Sequence, residues 1–192
     1  MNIVVFGNVP LATWVVKRLQ AASDAKIVGV VCDPVSRDFR HHGLELPGLC
    51  DYARQAKIPV LTLTDLPTSV SGVRRLVGIS CRFPHIIQES VIDLFDHGIV
   101  NLHGGELPRF RGVNIANHVI LEKVPKGAGT LHSIDRGVDT GPIIDREYFD
   151  VEDSDTAYDV FLKTQDALMT VFERNLDSLV SGTLRAVPQD EF

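Results

Sequence analysis

The chain has 192 residues, 44% hydrophobic and 23% charged, and a formal net charge of −6. These are globular proportions, which exclude a disordered chain and leave room for one ordinary domain with a proper core, expected over residues 1–192. An acidic balance with no long basic run makes nucleic acid a poor partner, and no apolar stretch is long enough to span a bilayer.

The elements alternate from the start. Met1-Asn2-Ile3-Val4-Val5-Phe6-Gly7 lacks the basic segment and cleavage site of a signal peptide. Within it, Asn2–Phe6 is a β-branched, apolar run that reads as a strand buried on both faces. Leu11, Trp14, Val15 and Leu19 recur at helical spacing, and Pro10 suits a first helical turn. Lys26–Cys32 is the next buried strand, broken by Asp33-Pro34. From Asp33 to Gly48 the residues predict a long surface loop. A helix over Leu49–Ala56, strands over Pro59–Leu63 and Arg74–Ser80, a helix over His85–Phe95 and a strand over Gly98–His103 follow.

The pattern then changes. Asn114–Glu122 reads as a helix, and Ala128–Ile134 and Ile143–Val151 read as strands joined as a hairpin or antiparallel addition. Asp155–Leu179 is one long amphipathic helix, with Ser154 or Asp155 available as its cap and Gly182 just past its end. The expected fold is therefore α/β, a doubly wound, mainly parallel sheet with a long C-terminal helix. Ligands of such sheets bind outside the carboxyl ends of the strands. The three cysteines, Cys32, Cys50 and Cys81, are odd in number and far apart, so a disulfide framework is not expected and a reducing cytoplasm is.

Strand ends are thus where chemistry is sought. After the first strand, Gly7-Asn8-Val9-Pro10 lacks the later glycines of a dinucleotide fingerprint. It is either a plain turn or a phosphate-holding helix start. Asn101-Leu102-His103-Gly104-Gly105 closes another strand. Period-two geometry puts Asn101 and His103 on one face, and two residues without side chains follow them. The pair is either a hydrogen-bonded polar end or a proton-handling site. Asp139, in Asp135–Pro142, is either an ordinary turn residue or a carboxylate beside His103. His41-His42 is no regular chelating pair, no metal motif is present, and no metal is expected. Cys81 before Arg82 is either an activated thiol or a small buried residue.

Together these segments resemble a known family. Asn101-Leu102-His103-Gly104-Gly105-Glu106-Leu107-Pro108-Arg109-Phe110-Arg111-Gly112 is similar to the N-[IL]-H-x-x-x-L-P-x-[YF]-x-G signature of the folate-dependent formyltransferases. Gly129-Thr130-Leu131-His132 is similar to their G-x-T-x-H strand, and Asp139-Thr140-Gly141-Pro142-Ile143-Ile144 to their D-x-G-x-I-[IV] segment. The resemblance covers roughly the whole chain and implies a Rossmann-like core. It implies a cytoplasmic enzyme that moves a formyl group from N10-formyltetrahydrofolate to a primary amine, with Asn101, His103 and Asp139 as its triad.

For the folate, the resemblance implies a pocket lined largely by backbone, matching Cys81, Arg82, Phe83, Pro84, His85 and Ile86 together with Ile134, Asp135 and Gly137. For the acceptor it implies Gly7, Asn8, Val9, Gly104, Gly105, Arg109 and Arg111. His-Gly-Gly is closer in pattern to the nucleotide-sugar N-formyltransferases than to purine-pathway members, where Pro-Ser often follows the His. With the acidic charge and the short span after the last helix, a nucleotide-linked amino sugar is the expected acceptor rather than tRNA. Glycinamide ribonucleotide is the runner-up. A formyl-folate hydrolase and a non-catalytic ligand-binding homologue stay open, and a homodimer is compatible with the long last helix.

Overall fold

The computed structural model of the chain describes residues 1–33 and 42–192. Most of the loop expected between Asp33 and Gly48, residues 34–41 and with them His41, lies outside the described residues. Residues 42–48 hold neither helix nor strand.

Seven strands form one sheet in the order β3-β2-β1-β4-β5-β6-β7. The chain divides into two compact units, residues 1–100 with 180–182, and residues 101–179 with 183–192. Strand β5, Ile99–His103, is shared at its third residue.

In the first unit, β1 (Asn2–Gly7) is buried from Ile3 onward, as an apolar run in a covered parallel sheet must be. It pairs in parallel with β2 (Lys26–Val31) on one side and β4 (Leu76–Cys81) on the other, and β2 pairs in parallel with the short β3 (Val60–Leu61). The strand order reverses between β1 and β4, which is where open α/β sheets form a crevice. Helix α1 (Pro10–Ala21) starts on its proline and buries Leu11, Val15 and Leu19 of the stripe its spacing predicts, while Trp14 is only half-buried and Val16 is buried beside them. Helix α2 is Leu49–Gln55.

The expected helix at His85–Phe95 shrinks to α4, Glu89–Ile92, and a short unforeseen helix, α3, occupies Leu66–Ser69. Beyond α4, the Asp96 carboxylate accepts the backbone N–H groups of Arg75 and Leu76 at the start of β4.

One expectation is overturned in this unit. Cys32 and Cys50 form a disulfide, with their Cα atoms 5.7 Å apart. The fold brings the end of β2 to the start of α2, a proximity that a separation of 18 residues does not reveal. The cysteine count therefore no longer argues for a reducing compartment. Cys81 is the free cysteine, and burial pushes its thiol well above the usual range, so it is the small buried residue and not an activated nucleophile.

In the second unit, β6 (Lys126–Ser133) and β7 (Ile143–Asp150) pair antiparallel, as the missing helix between them predicts. Helix α5 is Ile115–Leu121, and the long helix α6 is Ala157–Ser181. The cap of α6 is Thr156 rather than Ser154 or Asp155. Its hydroxyl accepts the Asp159 N–H at 3.3 Å while the Asp159 carboxylate accepts the Thr156 N–H at 2.8 Å, a reciprocal capping box. Phe110, Ile115, Val119, Val124 and Val160 pack as one apolar cluster beneath these elements. Among the described residues no helix is long and apolar enough to cross a membrane.

Helix α6 runs directly over β6 at Gly129. A Cβ there would lie 2.9 Å from the Leu168 backbone nitrogen and 3.1 Å from the Ala167 carbonyl carbon. Helix backbone cannot rotate away as a side chain can, so Gly129→Ala is expected to cost about 1–3 kcal/mol of stability in urea unfolding. Unchanged stability would show that α6 is not seated on this strand.

Candidate active site

The site is built in the second unit on the carboxyl end of β5. Alternation sends Leu102, 1% exposed, into the core and turns Asn101 and His103 to the opposite face. Strand β6 contributes His132, 1% exposed, and the loop after it contributes Asp139. The expected triad of Asn101, His103 and Asp139 is therefore brought together.

Asp139 is the hub. Its Oδ2 lies 3.4 Å from His103 Nδ1 and accepts the Gly112 N–H at 2.9 Å. Its Oδ1 lies 3.4 Å from His132 Nε2 and 3.4 Å from Asn101 Nδ2. The His103 and His132 rings stand edge to face, with centroids 6.0 Å apart.

Hydrogen-bond chemistry assigns several protons. The Phe110 carbonyl, 2.6 Å from His103 Nε2, only accepts, so that nitrogen carries hydrogen and Nδ1 is the one turned to Asp139. The Ser133 carbonyl, 2.8 Å from His132 Nδ1, does the same for the second ring. A carboxylate also only accepts, so Asn101 must face Asp139 with its amide nitrogen, which also lies 3.2 Å from His132 Nε2. Each imidazole is thus held as a donor at one nitrogen while the other meets the carboxylate. The cluster can take up or release a proton without moving its frame.

Burial works to raise the Asp139 carboxyl. The hydrogen bond from His132, the charge of His103 and the Gly112 N–H outweigh it and hold the group below the usual carboxylate range. The backbone at Asp139 is left-handed, φ +52°, a conformation that Asp tolerates better than most residues.

The segment between His103 and Gly112 explains one glycine. A Cβ on Gly105 would lie 2.9 Å from His103 Nε2 and 2.8 Å from the Phe110 carbonyl oxygen, wedged into the hydrogen bond that orients the imidazole. Gly104 is less constrained, since a Cβ there would meet only the Thr164 side chain, at 3.1 Å. Of the arginines expected to meet the acceptor, Arg109 pairs with Glu122 at 3.2 Å and lies over the Phe110 ring, and Arg111 is bonded to Gln189. Asp135 closes its own loop by accepting the Gly137 N–H at 3.0 Å and the Thr140 hydroxyl at 2.6 Å, beside the half-buried Ile134.

The remaining expected residues lie in the first unit. Gly7 packs against Cys81, where a Cβ would approach the carbonyl oxygen to 2.7 Å. Both ends of the Asn8 amide are bonded to Asp33, to its carboxylate at 2.8 Å and its N–H at 2.7 Å. Val9 precedes α1 without a capping side chain. Past β4, Arg82 is left-handed, Phe83 packs on Phe6 and His85, and His85 Nε2 lies 2.9 Å from Asp33 Oδ1. Pro84 is exposed, as is Ile86 at 71%. Among the described residues no group of His, Cys, Asp and Glu is arranged to hold a metal.

Residues 1–176 match the family described as formyl transferase. The chain belongs to that family. A curated relative, the methionyl-tRNA formyltransferase of Akkermansia muciniphila, is 30% identical over 200 residues, which cover 100% of this chain and 62% of that protein. Among solved structures, the N-formyltransferase of Helicobacter canadensis, in complex with folinic acid and dTDP-3-aminofucose, superposes with a TM-score of 0.78 at 24% identity, covering 98% of this chain and 66% of that one. Phosphoribosylglycinamide formyltransferase of Bacillus halodurans superposes with 0.79 at 18% identity, covering 94% and 96%. At these identities the superpositions show the formyltransferase fold. The chain spans 54%, 60% and 62% of the length of three curated relatives it matches.

Sequence reasoning quoted His132 within a motif and gave it no role. The signal was available, because period two on β6 puts Thr130 and His132 on one face. Asp33 carried no signal of its own.

The depressed Asp139 ionisation has a pH consequence. Its ionised form favours the folded chain above the unfolded value of about 3.9, and this contribution is lost as pH falls through the lower folded value. The stability gap between wild type and Asp139→Asn, read from urea unfolding, is expected to be wide near pH 5 and to narrow toward about pH 3. A gap independent of pH would mean that the histidines do not hold the carboxylate.

Proposed function

We propose that this formyl transferase family member moves a formyl group from N10-formyltetrahydrofolate to a primary amine. The observation that supports this best is the convergence of Asn101, His103, His132 and Asp139 at the end of β5 in a chain of this family. Amine attack on a formyl carbon places negative charge on its oxygen and frees a proton from nitrogen. Asn101 stabilises that oxygen by trading its long amide bond to Asp139 for one to the substrate, and a protonated His103, whose two nitrogens are engaged by the Phe110 carbonyl and Asp139, supports it through its charge. Asp139 keeps His103 charged, or acts through a water as the acceptor of the amine proton.

For the acceptor, the reading favours a nucleotide-linked amino sugar. Two features support it: the His103-Gly104-Gly105 pattern and the net charge of −6, which disfavours a polyanion. The Helicobacter canadensis protein, bound to an amino-sugar nucleotide, lends fold-level support. Initiator tRNA is the second reading, because the curated sequence relatives are methionyl-tRNA formyltransferases.

The deciding assay supplies the formyl donor with amino-sugar nucleotides, glycinamide ribonucleotide and methionyl-tRNA in parallel. A formylated sugar amine is the expected product, and formate released with no amine formylated would replace transfer with hydrolysis. His103→Ala and Asp139→Ala are each expected to lower turnover by about 100-fold or more while the folate still binds. Near-native rates in both variants would remove the triad assignment.

A further inference from the structure

Gln189 lies past the long helix, in a short 3-10 turn over Gln189–Glu191, yet its side chain is buried, 7% exposed. A buried amide needs partners at both ends. Its Nε2 donates to the carbonyl oxygens of Asp139 and Gly141, each at 2.8 Å. Its Oε1 accepts from Arg111 Nε at 3.1 Å and Nη2 at 2.6 Å. Just before it, Val187 and Ile143 exchange backbone hydrogen bonds at 2.8 Å, which fixes where the turn begins.

These contacts close a ring around the candidate site. The loop after β5 holds His103 through the Phe110 carbonyl and holds the Asp139 carboxylate through the Gly112 N–H. The loop after β6 carries Asp139 itself, in a left-handed conformation that persists only where its surroundings hold it. Gln189 grips the first loop at Arg111, beside Gly112, and the second on both sides of Thr140. We propose that Gln189 is a positioning residue that locks these two loops together and so sets the spacing between Asp139 and His103. The proposal rests on the reading of Asp139 and His103 as the reacting pair.

The amide is suited to the task because it is neutral and two-sided. It adds no charge beside the carboxylate, and it supplies donors to carbonyls and an acceptor to a guanidinium at once. A glutamate of the same shape would keep the contact with Arg111 but turn oxygen toward the two carbonyls. The groups that face the Asp139 carboxylate are His103 from β5 and His132 from β6. The charged groups next to them are Asp135 in the same loop, through Thr140, and Arg111, through Gln189.

The test compares the charge-neutral Gln189→Met and the charge-conserving Arg111→Lys with wild type, the second variant breaking the same two-pronged link from the other side should the first not fold. Imidazole titrations by NMR come first, since they need no substrate. The His103 midpoint is expected to move by about 0.5 pH unit or more in either folded variant. Turnover is expected to fall about tenfold or more, with KM for donor and amine within about threefold of wild type. Unmoved titrations overturn the proposal, whether turnover stays native or falls together with the melting temperature, because the residue then serves stability alone. Moved titrations in a chain whose wild type formylates no amine would remove the transfer reading and leave the positioning role standing.

Discussion

A single carboxylate organises the second unit. Asp139 is partly buried, and burial alone would favour its neutral form. It stays ionised because separate elements bring polar partners to it, the His103 imidazole and the Asn101 amide from β5, His132 from β6, and a backbone N–H from the loop between His103 and α5. Remove that convergence and a charge is left buried with a left-handed backbone beneath it. Most of the local architecture is therefore a consequence of satisfying this group.

The loop from Gly104 to Gly112 shows how. It has to carry the Phe110 carbonyl back to His103 and present the Gly112 N–H to Asp139 within a few residues. Gly105 permits the first by leaving out a side chain that would occupy the hydrogen bond. Thr130 reinforces it from β6, its buried hydroxyl donating to the Gly105 carbonyl at 2.6 Å. The motif residues that look like a substrate-binding stretch in one dimension are, in three, largely a bracket for two side chains.

Membership of the formyl transferase family places this bracket in a core that proteins with different acceptors share. Relatives at 25–30% identity are methionyl-tRNA formyltransferases, while similarly folded proteins include one bound to an amino-sugar nucleotide and a phosphoribosylglycinamide formyltransferase. The core can be shared across these acceptors because the attack on a formyl carbon is the same for each. Acceptor choice resides in groups that meet the rest of the substrate, and a fold does not determine those.

Local patterning made much of this protein legible. Apolar runs that stop at glycine mark β1 and β5, and helical spacing with a proline start marks α1. A pair of strand patterns with no helix between them marks the β6–β7 hairpin. Period two alone placed Asn101 and His103 on one face. The disulfide, the bonding of His132 and the reach of Gln189 were decided only by tertiary structure. In each case the deciding partner is remote in sequence: Cys50 for Cys32, Asn101 for His132, and two loops nearly fifty residues or more upstream for Gln189. Periodicity reports which face a residue takes on its own element. Which hydrogen meets which lone pair across the fold is settled by where distant elements pack, and that information is not local.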